Sequence, residues 1–440
     1  GVSVTFLLLY HPLMFQNIND HYIQPMRTFH REARLFLWAT IIYGIIYSGW
    51  QLFFNIYMLQ SGFTRDFLGI VNSLPALTGL LFGIPIGRLS DRIGYRRALI
   101  IGLVFSGLAY LGQVTFKQPT VIAIMSAFAG VFTMFIFVSS SPLMMKLSDA
   151  KNRTLLFSLN YGLQTIAGAV GSLFAGQLPA LFGTLFHVDS ASAVAYQAVL
   201  ITTILFGTTA LIPLWIMREP KTLSSVETLQ TKPESGSRQI GIRLGLTRQI
   251  VRLATPSFLI GIGAAILIPY MNVFFKDKFA ISDSLLGLFF SLSSLSIAIG
   301  TLIGPRLTTR LGGKVRTVAF TQLSSVIFML MIGFAPSLWI AGFAFLLRAA
   351  LMNMSTPLYS AFCMEQTPEH QQGLASSVFN IAWQVGWSVG PYISGVVQEQ
   401  YGFTPLFIAT TLLYLVAIGV MWRFFRNAEQ AQLSSAVAIA

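Results

Sequence analysis

The sequence predicts an all-α integral membrane protein with twelve transmembrane helices in two six-helix repeats. Composition, the spacing of apolar runs and an internal repeat carry that prediction. Of the 440 residues, 54% are hydrophobic and 10% are charged, whereas ordinary soluble domains carry about 25% charged residues. So few charges cannot cover the surfaces of the roughly two or three soluble domains that a chain this long would otherwise form. A mean hydropathy of +0.69 agrees. The composition excludes a cytosolic globular enzyme, a disordered chain and a disulfide scaffold. The one cysteine, Cys363, permits no internal disulfide.

Crossing the hydrocarbon takes about 20 mostly apolar residues as helix, because the backbone must satisfy its own hydrogen bonds there. The first six such runs lie at 36–59, 66–87, 98–116, 119–145, 154–178 and 195–217. The second six lie at 255–275, 284–304, 315–335, 338–361, 372–396 and 404–424. This divides the chain into a leader (1–35), an N-terminal bundle (36–217), a linker (218–254), a C-terminal bundle (255–425) and a tail (426–440). The start GVSVTFLLLY is too short to span, and no clean small-residue cleavage site follows, so a signal peptide is not expected. Met26, just ahead of Arg27, Arg31 and Arg34, is an alternative start. The linker stretch from Arg238 to Arg252 alternates arginines with Ile and Leu, as a basic amphipathic helix on an anionic leaflet or a solvated linker would.

Net charge is +13. With alternate connections on opposite sides, 23 Lys and Arg fall on the side of the termini and four on the other (Arg65, Lys117, Lys276, Lys278); Arg348 lies inside a span. By the positive-inside rule, both termini are cytoplasmic and the protein sits in the inner membrane of a bacterial-type cell. Basic residues confined to short loops encode orientation, so no nucleic-acid partner is expected.

A shift of about 218 residues aligns the chain with itself. Asn55-Ile56-Tyr57 matches Asn272-Val273-Phe274, and Gly69 matches Gly287. Arg88-Leu89-Ser90-Asp91-Arg92-Ile93-Gly94 matches Arg306-Leu307-Thr308-Thr309-Arg310-Leu311-Gly312, and Ser141-Pro142-Leu143 matches Thr356-Pro357-Leu358. Gly171 and Gly176 match Gly390 and Gly395. Two six-helix halves in parallel repeat form the layout of alternating-access transporters, with the solute near mid-membrane between them.

The loop Gly87-Arg88-Leu89-Ser90-Asp91-Arg92-Ile93-Gly94-Tyr95-Arg96-Arg97 resembles the signature loop of the major facilitator superfamily, in its place between spans 2 and 3. The resemblance covers roughly 36–425, with a weaker copy at Arg310 and Gly312. It implies a loop that latches the two halves in the outward-open state, a role that falls to Asp91, Arg92 and Arg96, with Arg97 completing the motif. On physical grounds, Gly87 and Gly94 permit close backbone approach, and Asp91 can accept from a helix N-terminus or an arginine. Thr309 replaces the acid in the second copy, so that latch is expected to be weaker or absent. Two departures weigh against a drug/proton antiporter. The GxxxGP element falls in span 11 (Gly386, Gly390, Pro391) rather than span 5, and Thr133 stands where many relatives carry an arginine in span 4.

Arg348 is the leading candidate for a substrate contact. An arginine about ten residues into span 10 costs on the order of 3 kcal/mol by insertion scales, and the acids fall in loops, termini or span ends. Its fixed charge suits a carboxylate or phosphate; the alternative is bonding to helix carbonyls or stacking on an aromatic ring. Polar stripes suggest further cavity residues: Tyr43, Tyr47, Gln51 and Asn55 in span 1, Asn160 and Gln164 in span 5, and Asn380 and Gln384 in span 11 beside Trp383 and Trp387. Spaced i, i+4, each set shares one helix face. Such groups face other helices or a cavity rather than lipid.

All five histidines (His11, His21, His30, His187, His370) lie in termini or loops, so a titratable carrier for proton coupling is lacking, unless Glu365 or Asp66 serves. There is no nucleotide loop, metal-ligand cluster or nucleophile elbow. The sequence therefore points to a gradient-driven transporter, not an enzyme, without cofactors and working as a monomer in the bilayer. Its solute is expected to be small and organic, anionic or acidic on the strength of Arg348. A polyspecific efflux pump is the alternative, and a non-transporting membrane sensor a distant one.

Overall fold

The computed structural model describes residues 29–149, 152–218, 248–368 and 371–439. Met26, His11, His21, His370 and the stretch from Arg238 to Thr247 lie outside them. The described residues are helical throughout, with no strand among them. The N-terminal half comprises α1 (Arg31–Gln60), α2 (Arg65–Ile93), α3 (Tyr95–Thr115), α4 (Pro119–Lys146), α5 (Arg153–Ala175, continued by Leu178–Phe186) and α6 (Ala193–Thr208, continued by Leu211–Ile216). The C-terminal half begins with α7 (Arg248–Leu267, a 3-10 turn at Ile268–Tyr270, then Met271–Phe279). It continues with α8 (Asp283–Leu311), α9 (Lys314–Phe334), α10 (Leu338–Glu365), α11 (Gln372–Tyr401) and α12 (Thr404–Ile439).

Local chemistry sets these boundaries. The side chains of Ser192, Ser282 and Ser337 cap α6, α8 and α10 by accepting from the backbone N–H three residues on. Pro119 opens α4, where its missing N–H costs no hydrogen bond. Gly94 (φ 91°) and Gly312 (φ 71°) hold the positive-φ joints between α2 and α3 and between α8 and α9. Pro269 sits in the turn that interrupts α7.

Two boundaries differ from expectation. Helix α7 already begins at Arg248, inside the expected linker, because Ile250 and Leu253 are buried there and Arg252 lies over the Phe424 ring at 5.0 Å. Helix α12 runs on to Ile439, where a tail was expected.

Eleven of these helices are long and apolar enough to cross a membrane. The twelfth, α11, has the length at 30 residues but not the apolarity, because Asn380, Gln384 and its serines interrupt it. Large apolar side chains such as Leu81, Ile84, Leu302, Trp215 and Trp339 are exposed on the outside of the bundle, as lipid-facing positions are.

The internal repeat becomes a two-fold arrangement of the halves. Asn55 and its counterpart Asn272 meet across the interface. The Asn55 amide donates to the Pro269 carbonyl at 2.6 Å, and the Asn272 amide to the Leu52 carbonyl at 2.8 Å. Helix α2 crosses α11 where Gly69 meets Gly395, and α8 crosses α5 where Gly287 meets Gly176. A methyl group added at Gly395 would stand 3.0 Å from Gly69 Cα, and one at Gly176 2.9 Å from Gly287 Cα. Only small residues allow these crossings.

All of these contacts lie at the end of the bundle away from the termini. There one apolar cluster, including Leu52, Phe53, Met58, Tyr270, Phe274 and Phe275, draws on both halves. Toward the end that carries the termini the core splits. One cluster around Phe36, Leu143 and Met144 belongs to the N-terminal half, and another around Leu253, Leu358 and Phe362 to the C-terminal half. The bundle is thus sealed at the far end and parted at the terminal end.

Candidate functional site

The parted halves enclose two adjoining chambers. The central one, about 540 Å³, lies between the halves and takes its wall from α1–α4 on one side and from α7 and α11 on the other. Its lining is aromatic and amide-rich: Trp50, Tyr110, Trp383 and Trp387 alternate with Gln51, Asn55, Asn72, Gln113, Asn380 and Gln384. A second chamber, about 460 Å³, lies wholly within the N-terminal half and is lined by Thr40, Tyr43, Ser140, Asn160 and Gln164 among others. Tyr47, Thr133 and Phe137 belong to both walls. Among the described residues, none that lines either chamber is charged.

Helix packing puts these groups in place. On α1 the polar stripe runs down the cavity face, with Tyr43 and Tyr47 stacked at 6.0 Å and the Gln51 amide donating to the Tyr47 hydroxyl at 2.7 Å. Asn72 of α2 donates to the Asn55 side-chain carbonyl at 3.0 Å, which leaves Asn55 fixed from two sides. Helix α5 reaches α1 closely because Gly44 has no side chain: a methyl group there would stand 3.0 Å from the Gln164 carbonyl oxygen. That approach brings Asn160 within reach of Thr40, whose hydroxyl donates to its carbonyl at 3.0 Å. On α11, Trp383 and Trp387 lie 6.2 Å apart, and the Trp387 indole N–H is buried without a protein acceptor.

Of the candidates named from the sequence, Tyr43, Tyr47, Gln51, Asn55, Asn160, Gln164, Asn380 and Gln384 all stand on these walls. Arg348 does not. Its side chain is 6% exposed and points into the C-terminal half, where one guanidinium nitrogen donates to the Tyr414 hydroxyl of α12 at 3.1 Å. Its Nε has no partner among the described residues. The expected contact between Arg348 and an anionic solute is therefore not supported: α10 turns that face toward α12, and no cation among the described residues lines either chamber. Asn72, Tyr110, Gln113 and Ser126 were not singled out from the sequence, although a polar residue interrupting an apolar run was the available signal.

The signature loop makes no bridge between the halves among the described residues. Asp91 accepts from Tyr95 within its own loop at 2.8 Å. Arg96 donates to the Leu214 and Trp215 carbonyls at 2.8 and 2.6 Å, closing the C-terminus of α6. Arg92, Arg97 and Arg310 are exposed at the parted end, and a methyl group at Gly87 would meet nothing within 4 Å. Gly94 and Gly312 serve as positive-φ joints.

Charged contacts between the halves lie instead at the sealed end. Arg65 of α2 pairs with Asp277 of α7 at 2.7 Å, and its backbone N–H donates to Glu399 of α11 at 2.9 Å. Asp283, 9% exposed, pairs with Lys276 at 2.7 Å and accepts from Tyr196 of the other half at 3.0 Å. A buried acid is thus present at the mouth of α8, where the sequence placed only a span end. Glu365 pairs with Lys314 within the C-terminal half.

The sequence family described as Major Facilitator Superfamily matches residues 36–255 and again 253–438, one match for each half. The chain belongs to that superfamily. Among relatives, the multidrug resistance protein MdtG of Enterobacter lignolyticus is 27% identical over 180 residues, covering 39% of this chain and 42% of the relative. MdtG of Citrobacter koseri is 28% identical over 180 residues, covering 39% and 43%. The matched stretch thus spans about two fifths of these relatives.

Solved structures share the superfamily fold at low identity. A bacterial homolog of the human lysosomal transporter Spinster, inward-facing and occupied, superposes with a TM-score of 0.72 at 13% identity over 90% of this chain and 97% of that one. A D-xylose-proton symporter gives 0.66 at 16% over 89% and 98%. The nucleoside transporter NupG gives 0.64 at 14% over 90% and 99%.

Proposed function

We propose that this superfamily member is a secondary transporter that carries uncharged or amphipathic aromatic organic solutes, bound at mid-membrane between its halves. The observation that carries the reading is a charge-free, aromatic- and amide-lined chamber between two repeats that are sealed together at one end only. Aromatic walls favour flat apolar solutes, and neutral amides orient them without the desolvation cost of a buried charge. The 23-to-4 distribution of basic residues supports an inner-membrane orientation with cytoplasmic termini, so the parted end faces the cytoplasm. Likeness to a multidrug resistance protein supports export rather than uptake.

The test is transport in proteoliposomes of the full chain, with the neutral dye N-phenyl-1-naphthylamine beside aromatic carboxylates. Gradient-dependent movement of the dye but not of the carboxylates is the expected result. Carboxylate transport that is lost in Arg348→Ala, with the dye untouched, would overturn the reading in favour of an anionic solute.

A further inference from the structure

The chamber inside the N-terminal half has no counterpart in the reading above, which needs only the cavity between the halves. We infer that it is a second subsite, and that the solute is bipartite: an aromatic end in the central chamber and a neutral, hydrogen-bonding end in this annex. The inference rests on the proposed transport of uncharged aromatic solutes and narrows their class to those carrying hydroxyl, carbonyl or amide groups on a second arm.

Three observations carry it. The annex, about 460 Å³, is large enough for a ligand in its own right, and it shares Tyr47, Thr133 and Phe137 with the central chamber, so one molecule can reach into both. Its inner wall presents hydrogen-bonding groups that no protein group satisfies. Among the described residues, the Gln164 amide and the Tyr43 hydroxyl make no hydrogen bond, and Asn160 uses only its carbonyl, leaving its NH₂ free. Facing an open chamber, these groups can bond a solute in place of water. Finally, the wall has both donors and acceptors but no charge, which fits a neutral polar arm and disfavours an ionised one.

The annex also differs from the central chamber in what moves. All its lining lies between Phe36 and Leu214, within one half, so its grip on the polar arm persists while the halves rock. The central chamber has α7 and α11 as its opposite wall and is remade in each state. The annex therefore selects the solute, and the central chamber releases it.

The test uses a matched pair of probes on the purified full chain, 4-nitroanisole and 4-nitrophenyl β-D-glucoside, with quenching of tryptophan fluorescence as the readout. The glucoside is expected to bind roughly tenfold more tightly, the scale of one or two neutral hydrogen bonds. Gln164→Leu and Asn160→Leu are each expected to remove most of that advantage while leaving anisole binding unchanged, which also shows that the variants fold. Trp383→Ala should weaken both probes. Anisole binding that is sensitive to Trp383→Ala, with no glucoside advantage or an advantage untouched in both α5 variants, overturns the annex and leaves the transport reading intact. Failure of both probes to bind the wild-type chain overturns the two together.

Discussion

The two halves descend from one repeat yet spend their polar residues differently. In the N-terminal half, Thr133 of α4 stands on the shared wall of both chambers, and α1 and α5 turn their amides and hydroxyls toward open space. In the C-terminal half the matching position, Arg348 of α10, is sealed behind the cavity against Tyr414. Further along α10, Ser355 accepts from Gln322 of α9 at 3.1 Å inside the same bundle. On the proposed reading the N-terminal half would recognise the solute, and the C-terminal half reaches the cavity only through α7 and α11.

The sharpest way to break this contrast is to exchange the residues at that position. Thr133→Arg places a cation on a wall where the described residues hold none, and neutral aromatic binding should fall by roughly a hundredfold, since seating an apolar solute against that wall strips water from an unpaired guanidinium; titration of a nitroaromatic probe checks it. Unchanged affinity would mean the solute does not pass this wall. Next in size is Tyr414→Phe, which removes the hydroxyl that Arg348 reaches. Stability in detergent should drop by about 1–3 kcal/mol, the cost of leaving a buried group unpaired, with solute affinity preserved; a denaturation curve beside a binding curve reads both.

Smaller effects probe the moving wall. Trp383→Ala takes an aromatic face from the C-terminal side of the chamber and should weaken aromatic probes about tenfold, measured by displacement. At the sealed end, Arg65→Ala loses the bridge to Asp277, which is partly exposed. Such pairs contribute at most about 1 kcal/mol, so a cysteine replacing Gln51 should gain only a few-fold reactivity toward an impermeant reagent from outside. A larger change would make the ion pairs, rather than the glycine crossings, the main seal.

Much of this was legible in the sequence, for identifiable reasons. The pairing of Asn55 with Asn272, and of Gly69 and Gly287 with Gly395 and Gly176, follows from residues that the repeat already matched, because two-fold symmetry brings equivalent positions to one interface. The α1 stripe was visible because its period keeps Tyr43, Tyr47, Gln51 and Asn55 on one face. The placement of Arg348 was not legible, because depth and charge predict that a guanidinium needs a partner, but not which neighbour provides it. A tyrosine on α12 did so, and no local pattern reports the direction in which α10 is rotated. Asp283 was missed for a related reason: its position at a helix start reads as a loop acid until the opposite half covers it.

The most direct test of the account is dye transport by Arg348→Met set beside Trp383→Ala in proteoliposomes, with rates normalised to folded protein. The account predicts that Arg348→Met transports N-phenyl-1-naphthylamine within about twofold of the wild-type rate, because the guanidinium never meets the solute, and that Trp383→Ala falls about tenfold. Loss of transport in Arg348→Met with a wild-type rate in Trp383→Ala would contradict it, and would place the solute inside the C-terminal half.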